Sequence, residues 1–259
     1  MNIGIMGTGN IANYLLEIIN GEKQIEGIVT SIFGRNRTAG EQLAQQYKTR
    51  FYQDFESFIS SDIDIVVEAA AVEVAAAYAV PVLENEKDLI VSSIGAFAGA
   101  GFLEQARETA RKNGCTVHFP SGAVGGLDLL KSANATGGLE KVTITTRKSP
   151  ASLGLEGIRE EKPLFDGPAG EAIQQFPKNV NVALALSLAG IGTEKTGVRV
   201  IADPSVKRNT HTIEAEGSFG SMTATIENQP MPGNPKTSYL AALSVLAALK
   251  NQGNPVVIG

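Results

Sequence analysis

The sequence predicts an α/β chain, with a doubly wound parallel sheet toward the N-terminus and a smaller α+β domain after it whose sheet is mostly antiparallel. Three observations carry the prediction. Short apolar runs alternate with helical patterns from Asn2 to Phe119; a glycine turn, Gly7-Thr8-Gly9, follows the first run; and beyond Val142 apolar and polar residues alternate with period two.

Asn2 to Met6 reads as a buried strand running into Gly7-Thr8-Gly9-Asn10-Ile11-Ala12 and then a helical pattern through Ile19. That is the strand, tight turn, helix order of a βαβ unit. A second apolar run, Ile25 to Phe33, ends at Gly34-Arg35-Asn36-Arg37, and a helix with Leu43, Ala44 and Tyr47 on one face follows. The alternation continues through the strand Ile63 to Glu68, a helix from Val72 to Asn85, the strand Asp88 to Ser92, a helix from Gly101 to Asn113 and the strand Thr116 to Phe119. Strands that alternate with helices imply a parallel sheet covered on both faces.

The grammar then changes. Val142 to Thr146, Val198 to Ala202, His211 to Glu216 and Met222 to Glu227 alternate as strands with one wet face, and Asn181 to Ile191 offers an apolar helix to cover the other. The expected boundaries are 1–122 for a nucleotide-binding domain, with a C-terminal helix in 236–259 packing back onto it, and 123–235 for a catalytic and dimerisation domain. Gln229 to Pro235, rich in Pro and Gly, reads as the connection back.

Composition narrows the function classes. A hydrophobic fraction of 43% and a charged fraction of 19% over 259 residues suit a globular chain large enough to bury a core. The net charge of −5 leaves no broad basic face, which argues against nucleic acid as the partner and for a small metabolite. No apolar run approaches the ~18 residues of a membrane span, and the first residues lack the charged leader of a signal peptide. The one cysteine, Cys115, forms no internal disulfide or thiolate metal cage and is expected to be a buried small side chain. The expectation is a cytoplasmic protein with no metal.

Gly7, Gly9 and Ala12 fill the three positions of the GxGxxG/A fingerprint of a Rossmann nucleotide-binding unit. The first permits the tight turn, the second lets a pyrophosphate approach the backbone, and the small third residue packs helix on strand; the amides of Asn10 and Ile11 then face the anion. At the end of the second strand, where NAD-preferring proteins usually place an acid, this chain has Gly34-Arg35-Asn36-Arg37. With no carboxylate to repel a 2′-phosphate, NADP is at least as well suited as NAD; Arg35 is the first candidate partner and Arg37 the second, the alternative being two solvated arginines.

The chain has two histidines, so a histidine acid/base is His118 or His211. His118 lies within a strand and reads as an ordinary sheet residue. His211 lies where the polar loop Asp203 to Thr210 enters a strand, a place either for a surface histidine or for one held rigidly at a cleft. Lys207 and Asn209 beside it, and Lys148 and Ser149 after the Val142 strand, are candidates for holding substrate carboxylates. The glycine-rich loop Phe119 to Gly126 belongs at the carboxyl edge of the parallel sheet, where ligands of open α/β folds bind.

Taken together, Gly7 to Ile11, the run Phe119-Pro120-Ser121-Gly122-Ala123-Val124-Gly125-Gly126-Leu127-Asp128, the run Phe176-Pro177-Lys178-Asn179-Val180-Asn181-Val182-Ala183, and the segment from Ala202-Asp203-Pro204 to Asn209-Thr210-His211 resemble the L-aspartate dehydrogenase family over essentially the whole chain. The resemblance implies NAD(P)-dependent oxidation of L-aspartate to iminoaspartate, which hydrolyses to oxaloacetate and ammonia or feeds NAD biosynthesis. It also implies His211 as the acid/base, Ala123 and Asn181 as contacts near the nicotinamide, with Asn179 adjacent, and Gly7 and Gly9 at the phosphates. A homodimer through the second-domain sheet is expected. The competing expectations are a related oxidoreductase of another small amino or oxo acid, homoserine included, and a non-catalytic NAD(P)-sensing protein.

Overall fold

The computed structural model describes residues 1–99, 101–176, 180–232 and 234–256. The chain forms two compact units, one of Met1–Pro120 with Val245–Ile258, the other of Ser121–Ser244.

In the first unit six strands, β1 (Asn2–Met6), β2 (Ile28–Phe33), β3 (Arg50–Tyr52), β4 (Ile65–Glu68), β5 (Asp88–Val91) and β6 (Val117–His118), make a parallel sheet in the order β3-β2-β1-β4-β5-β6. The apolar runs are buried on both faces: Ile3, Ile5 and Met6 of β1 and Val66 and Val67 of β4 are inaccessible to solvent. Helices α1 (Asn10–Leu16, continued by a π-turn over Glu17–Gly21), α2 (Arg37–Tyr47), α3 (Phe55–Ile59), α4 (Val72–Glu84) and α5 (Phe102–Asn113) make the crossovers. The strand order reverses between β1 and β4, and this switch point opens a crevice at their carboxyl ends.

In the second unit α6 (Leu127–Ala133) precedes a five-stranded sheet of β7 (Leu139–Lys148), β8 (Lys162–Pro168), β9 (Thr196–Ala202), β10 (Asn209–Gly217) and β11 (Gly220–Asn228), with α7 (Ala169–Gln175) and α8 (Val180–Ala189) between β8 and β9. The order is β11-β10-β7-β9-β8, antiparallel except for the β7–β9 pair. One face carries Val142, Ile144, Val198, Val200, Ile213 and Ala215 into a core with Ala172, Ala183 and Leu186 of the helices; the period-two reading holds. A two-stranded ribbon, β12 (Pro230–Met231) and β13 (Asn234–Ser238), leads to α9 (Tyr239–Lys250), whose Val245, Leu246 and Leu249 join the core of the first unit.

Three sequence expectations change. Gln229 to Pro235 is not a bare connection but contains β12 and the start of β13. Strand β8 goes unexpected because Pro163, Gly167 and Pro168 disguise it; it is an edge strand, paired among the described residues with β9, where missing backbone donors are tolerated. Cys115 is half-buried rather than buried, and its surroundings push its thiol pKa up, chiefly through partial desolvation.

Candidate active site

The nucleotide part of the site is built by three strand ends. Gly7 has φ +130°, and a Cβ there would lie 2.5 Å from the Ala69 carbonyl oxygen, so the turn that follows β1 accepts no side chain. The Gly7 amide donates to the Phe33 carbonyl at 2.8 Å, tying the turn to the end of β2. Gly9 differs: a Cβ there meets nothing within 4 Å. Fold packing does not require glycine at this point, whereas a phosphate lying against the backbone does. Gly9 is the N-cap of α1 and supplies no side-chain cap, and the first turn carries no acid, so the Asn10 and Ile11 amides are available to an anion. Ala12 is fully buried against the core.

Gly7, Thr8, Gly9, Phe33, Gly34, Arg35, Asn36, Ala70, Ala71, Val74 and Tyr78 line a cleft of about 320 Å³. Arg35 is exposed at its wall, whereas Arg37 pairs with Glu41 one helical turn on at 2.7 Å. Asn36 caps α2, its Oδ1 accepting from the Ala39 amide. Sequence reasoning missed the β4 side of this cleft. There Glu68, fully buried, accepts from the Ala70 amide at 2.8 Å, the Ser93 amide at 2.8 Å and the Ser93 hydroxyl at 3.0 Å. Burial pushes its pKa up against the pull of those bonds. The carboxyl group thus ties the loop after β4, which lines the cleft, to the loop after β5. The legible signal was an acid ending a wholly apolar run, followed by Ala69-Ala70-Ala71.

The second unit carries the titratable part. His211 lies opposite Thr146 across the β10–β7 pair, and its Nδ1 is 2.9 Å from Thr146 Oγ1. Lys148, two residues beyond Thr146 on the same face of β7, is half-buried. Asn209, two residues before His211, shares that face and is half-buried as well. The face that buries Ala215 and Ile213 therefore ends in His211 and Asn209, a polar end to an apolar layer. His211 is 4% exposed. Burial first, and the Lys148 charge second, lower its pKa to about 4, so the imidazole is neutral at neutral pH. Burial also lowers the pKa of Lys148.

A stability prediction follows. The unfolded histidine takes up a proton near pH 6.5 and the folded one only near 4, so stability is complete above that window, falls on acidification through it by on the order of 3 kcal/mol, and is level below it. Urea unfolding at stepped pH checks this against His211→Gln, in which that component of the acid sensitivity disappears.

Of the other candidates, Ser149 bonds to the turn Ala151–Leu153, its Oγ 2.9 Å from Ser152 Oγ and accepting from the Ser152 amide. Lys207 is exposed on the loop before β10. That loop is pinned by Asp203, whose amide donates to the Lys148 carbonyl at 2.8 Å and whose carboxylate accepts from Ser205 and pairs with Arg147 at 3.1 Å. Those bonds, Ser205 foremost, hold the Asp203 pKa below the ordinary carboxylate range. Asn181 is exposed in the first turn of α8, and Ala123 is 9% exposed in the loop before α6. Pro177, Lys178 and Asn179 lie outside the described residues. His118 is an ordinary sheet residue, its Nε2 3.0 Å from both Thr116 Oγ1 and Gln252 Nε2. Among the described residues no helix is long and apolar enough to cross a membrane.

A family model described as "aspartate dehydrogenase, C-terminal" matches residues 128–252, and one described as "homoserine dehydrogenase, NAD binding domain" matches residues 7–120. The L-aspartate dehydrogenase of Methanospirillum hungatei is 42% identical over 259 residues, covering 100% of this chain and 99% of the relative. That of Methanosarcina mazei is 42% identical over 273 residues, again covering 100% and 99%. The crystal structure of aspartate dehydrogenase from Thermotoga maritima matches with a TM-score of 0.83 at 31% identity, covering 100% of this chain and 99% of that one. With full-length relatives at this identity and a matching fold in both units, the chain belongs to the L-aspartate dehydrogenase family.

Proposed function

We propose that this chain catalyses the reversible NAD(P)-dependent oxidative deamination of L-aspartate to iminoaspartate, which hydrolyses to oxaloacetate and ammonia. The observation that carries the reading is the polar end of the second unit's sheet face, where a buried neutral His211 lies beside Lys148. The dinucleotide fits the first unit: its pyrophosphate against the open Gly9 backbone, its adenosine in the 320 Å³ cleft beside Arg35. When bound, the nicotinamide accepts the hydride of the amino acid's α-carbon.

Proton handling and charge belong to the chain. An α-ammonium has no lone pair with which to form the C=N bond, so it must first give up a proton. The acceptor is His211 Nε2, in the tautomer whose Nδ1–H donates to Thr146 Oγ1. Once it has released that proton to solvent, the same nitrogen takes a proton from the water that adds to the imine carbon and returns it to the departing ammonia. Lys148 pairs with a substrate carboxylate and Asn209 donates to it; Lys207 and Ser149 are the weaker partners, one exposed and one occupied in a turn. Ala123 and Asn181 contact the nicotinamide end.

The same reading makes the protein a cytoplasmic homodimer, joined through the second unit's sheet. The outer face of that sheet presents Thr143, Thr145, Thr212 and Thr225 at alternate positions. A monomeric mass by light scattering at micromolar concentration contradicts the dimer. The substrate assignment is tested by a panel of L-aspartate, L-homoserine, L-glutamate and L-malate, read as appearance of reduced cofactor. Turnover with L-aspartate far above the rest is expected, and preference for another member overturns it. For the cofactor, Arg35→Glu is expected to weaken NADPH by about tenfold or more and to leave NADH within about twofold, by fluorescence titration. Equal loss of both contradicts a 2′-phosphate contact.

A further inference from the structure

Asn228 ends β11 with 4% exposure, and its register partner on β10 is Asn209, two residues before His211. Both ends of its amide are engaged. Nδ2 donates to the Ala123 carbonyl at 3.0 Å, and Oδ1 accepts from Ser238 Oγ at 2.5 Å. A carbonyl only accepts, so the nitrogen must face Ala123, and the serine hydroxyl must then donate to Oδ1; the side chain has one orientation.

The loop that receives this bond turns at two left-handed glycines, Gly122 with φ +66° and Gly126 with φ +75°. It is held at a second point, where the Gly122 amide donates to Ser244 Oγ at 3.1 Å and that hydroxyl donates to the Ala241 carbonyl. The two glycines leave the backbone free to turn, and the two side chains decide where it stops. The Ala123 peptide plane is thereby fixed to the strand pair that carries Asn209 and His211. The Asn228 bond joins the Ala123 carbonyl to that pair, and a buried carbonyl left without a partner is costly enough to move the loop.

We propose that Asn228 is a positioning residue for the reaction: it sets the Ala123 loop against the nicotinamide end of the cofactor in register with the strand that holds His211. The proposal rests on the reading that Ala123 touches that end of the cofactor. It assigns Asn228 no contact with substrate or reacting atoms.

Asn228→Asp tests it. The variant keeps the shape and the bond from Ser238 but sets an oxygen against the Ala123 carbonyl. Titration of the purified protein is expected to show NADH weakened by about tenfold with ADP-ribose, which lacks the nicotinamide, held within about twofold. At saturating cofactor kcat falls, while KM for L-aspartate is unchanged. Asn228→Ala, which removes the donor without adding a charge, is expected to give the same selective pattern and serves if the aspartate variant does not fold. Loss of NADH and ADP-ribose together, or of neither, in the folded variant overturns the positioning role. Ala123→Leu separates the two layers of the argument. Selective loss of NADH in that variant with Asn228→Asp and Asn228→Ala both silent overturns the role of Asn228 alone. An Ala123→Leu protein that binds NADH like the parent overturns the reading of Ala123 and this proposal with it.

Discussion

Gly9→Ala is expected to unfold in urea like the parent protein, within about 0.5 kcal/mol, and yet to bind NADH or NADPH about tenfold or more weakly. The reason is that the added methyl meets nothing in the protein itself and occupies only the space into which a pyrophosphate must come. Gly7→Ala reverses the pattern. Its φ of +130° is strained for any L side chain, and its Cβ would strike the Ala69 carbonyl oxygen at 2.5 Å, so it should cost more than about 2 kcal/mol of stability. Two glycines one residue apart thus separate folding from binding. A Gly9→Ala protein with parental affinity for the dinucleotide contradicts the placement of the phosphates.

His211→Ala is expected to lower kcat for L-aspartate oxidation by about 10²- to 10⁴-fold while dinucleotide affinity stays near parental. The pH profile carries the sharper information. Since kcat/KM reports the free enzyme, the acid limb contributed by His211 should lie near pH 4 rather than near 6.5. Lys148→Met should move that limb upward, because removing the cation relieves one of the two causes that lower the pKa; burial, the larger cause, remains, so the limb stays below the ordinary histidine value. The same variant should raise KM for L-aspartate. An acid limb near 6.5 in the parent protein contradicts a desolvated His211.

Much of this was legible in the sequence because it depends on local pattern. The strand, glycine turn and helix at Asn2 to Ile19 announce themselves through residue spacing, and the inward residues of β7, β9 and β10 through their alternation. The count of two histidines narrowed a histidine acid/base to His118 or His211, and the family resemblance singled out His211. What the sequence left open depends on tertiary pairing. Thr146 and His211 are 65 residues apart and meet only through the β7–β10 register, so neither their hydrogen bond nor the burial that makes the ring neutral is visible in the chain order. Lys148 is named by its chemistry, but its place on the His211 face comes from where β7 ends. Glu68 and Asn228 were passed over for the same reason: each acts on a backbone group of another loop, and in the sequence each is one polar residue at the end of a strand. Strand β8 was hidden by its prolines, whose meaning depends on being at an edge.

The central claim is that a hydride leaves the α-carbon of L-aspartate while His211 handles the proton. The most direct test incubates the purified protein with L-aspartate deuterated at that carbon and oxidised NAD or NADP, and weighs the reduced cofactor by mass spectrometry. Deuterium on the reduced nicotinamide, formed by the parent protein and not at a comparable rate by His211→Ala, is the predicted result; reduced cofactor without deuterium, or none at all from a protein that binds the dinucleotide, contradicts it.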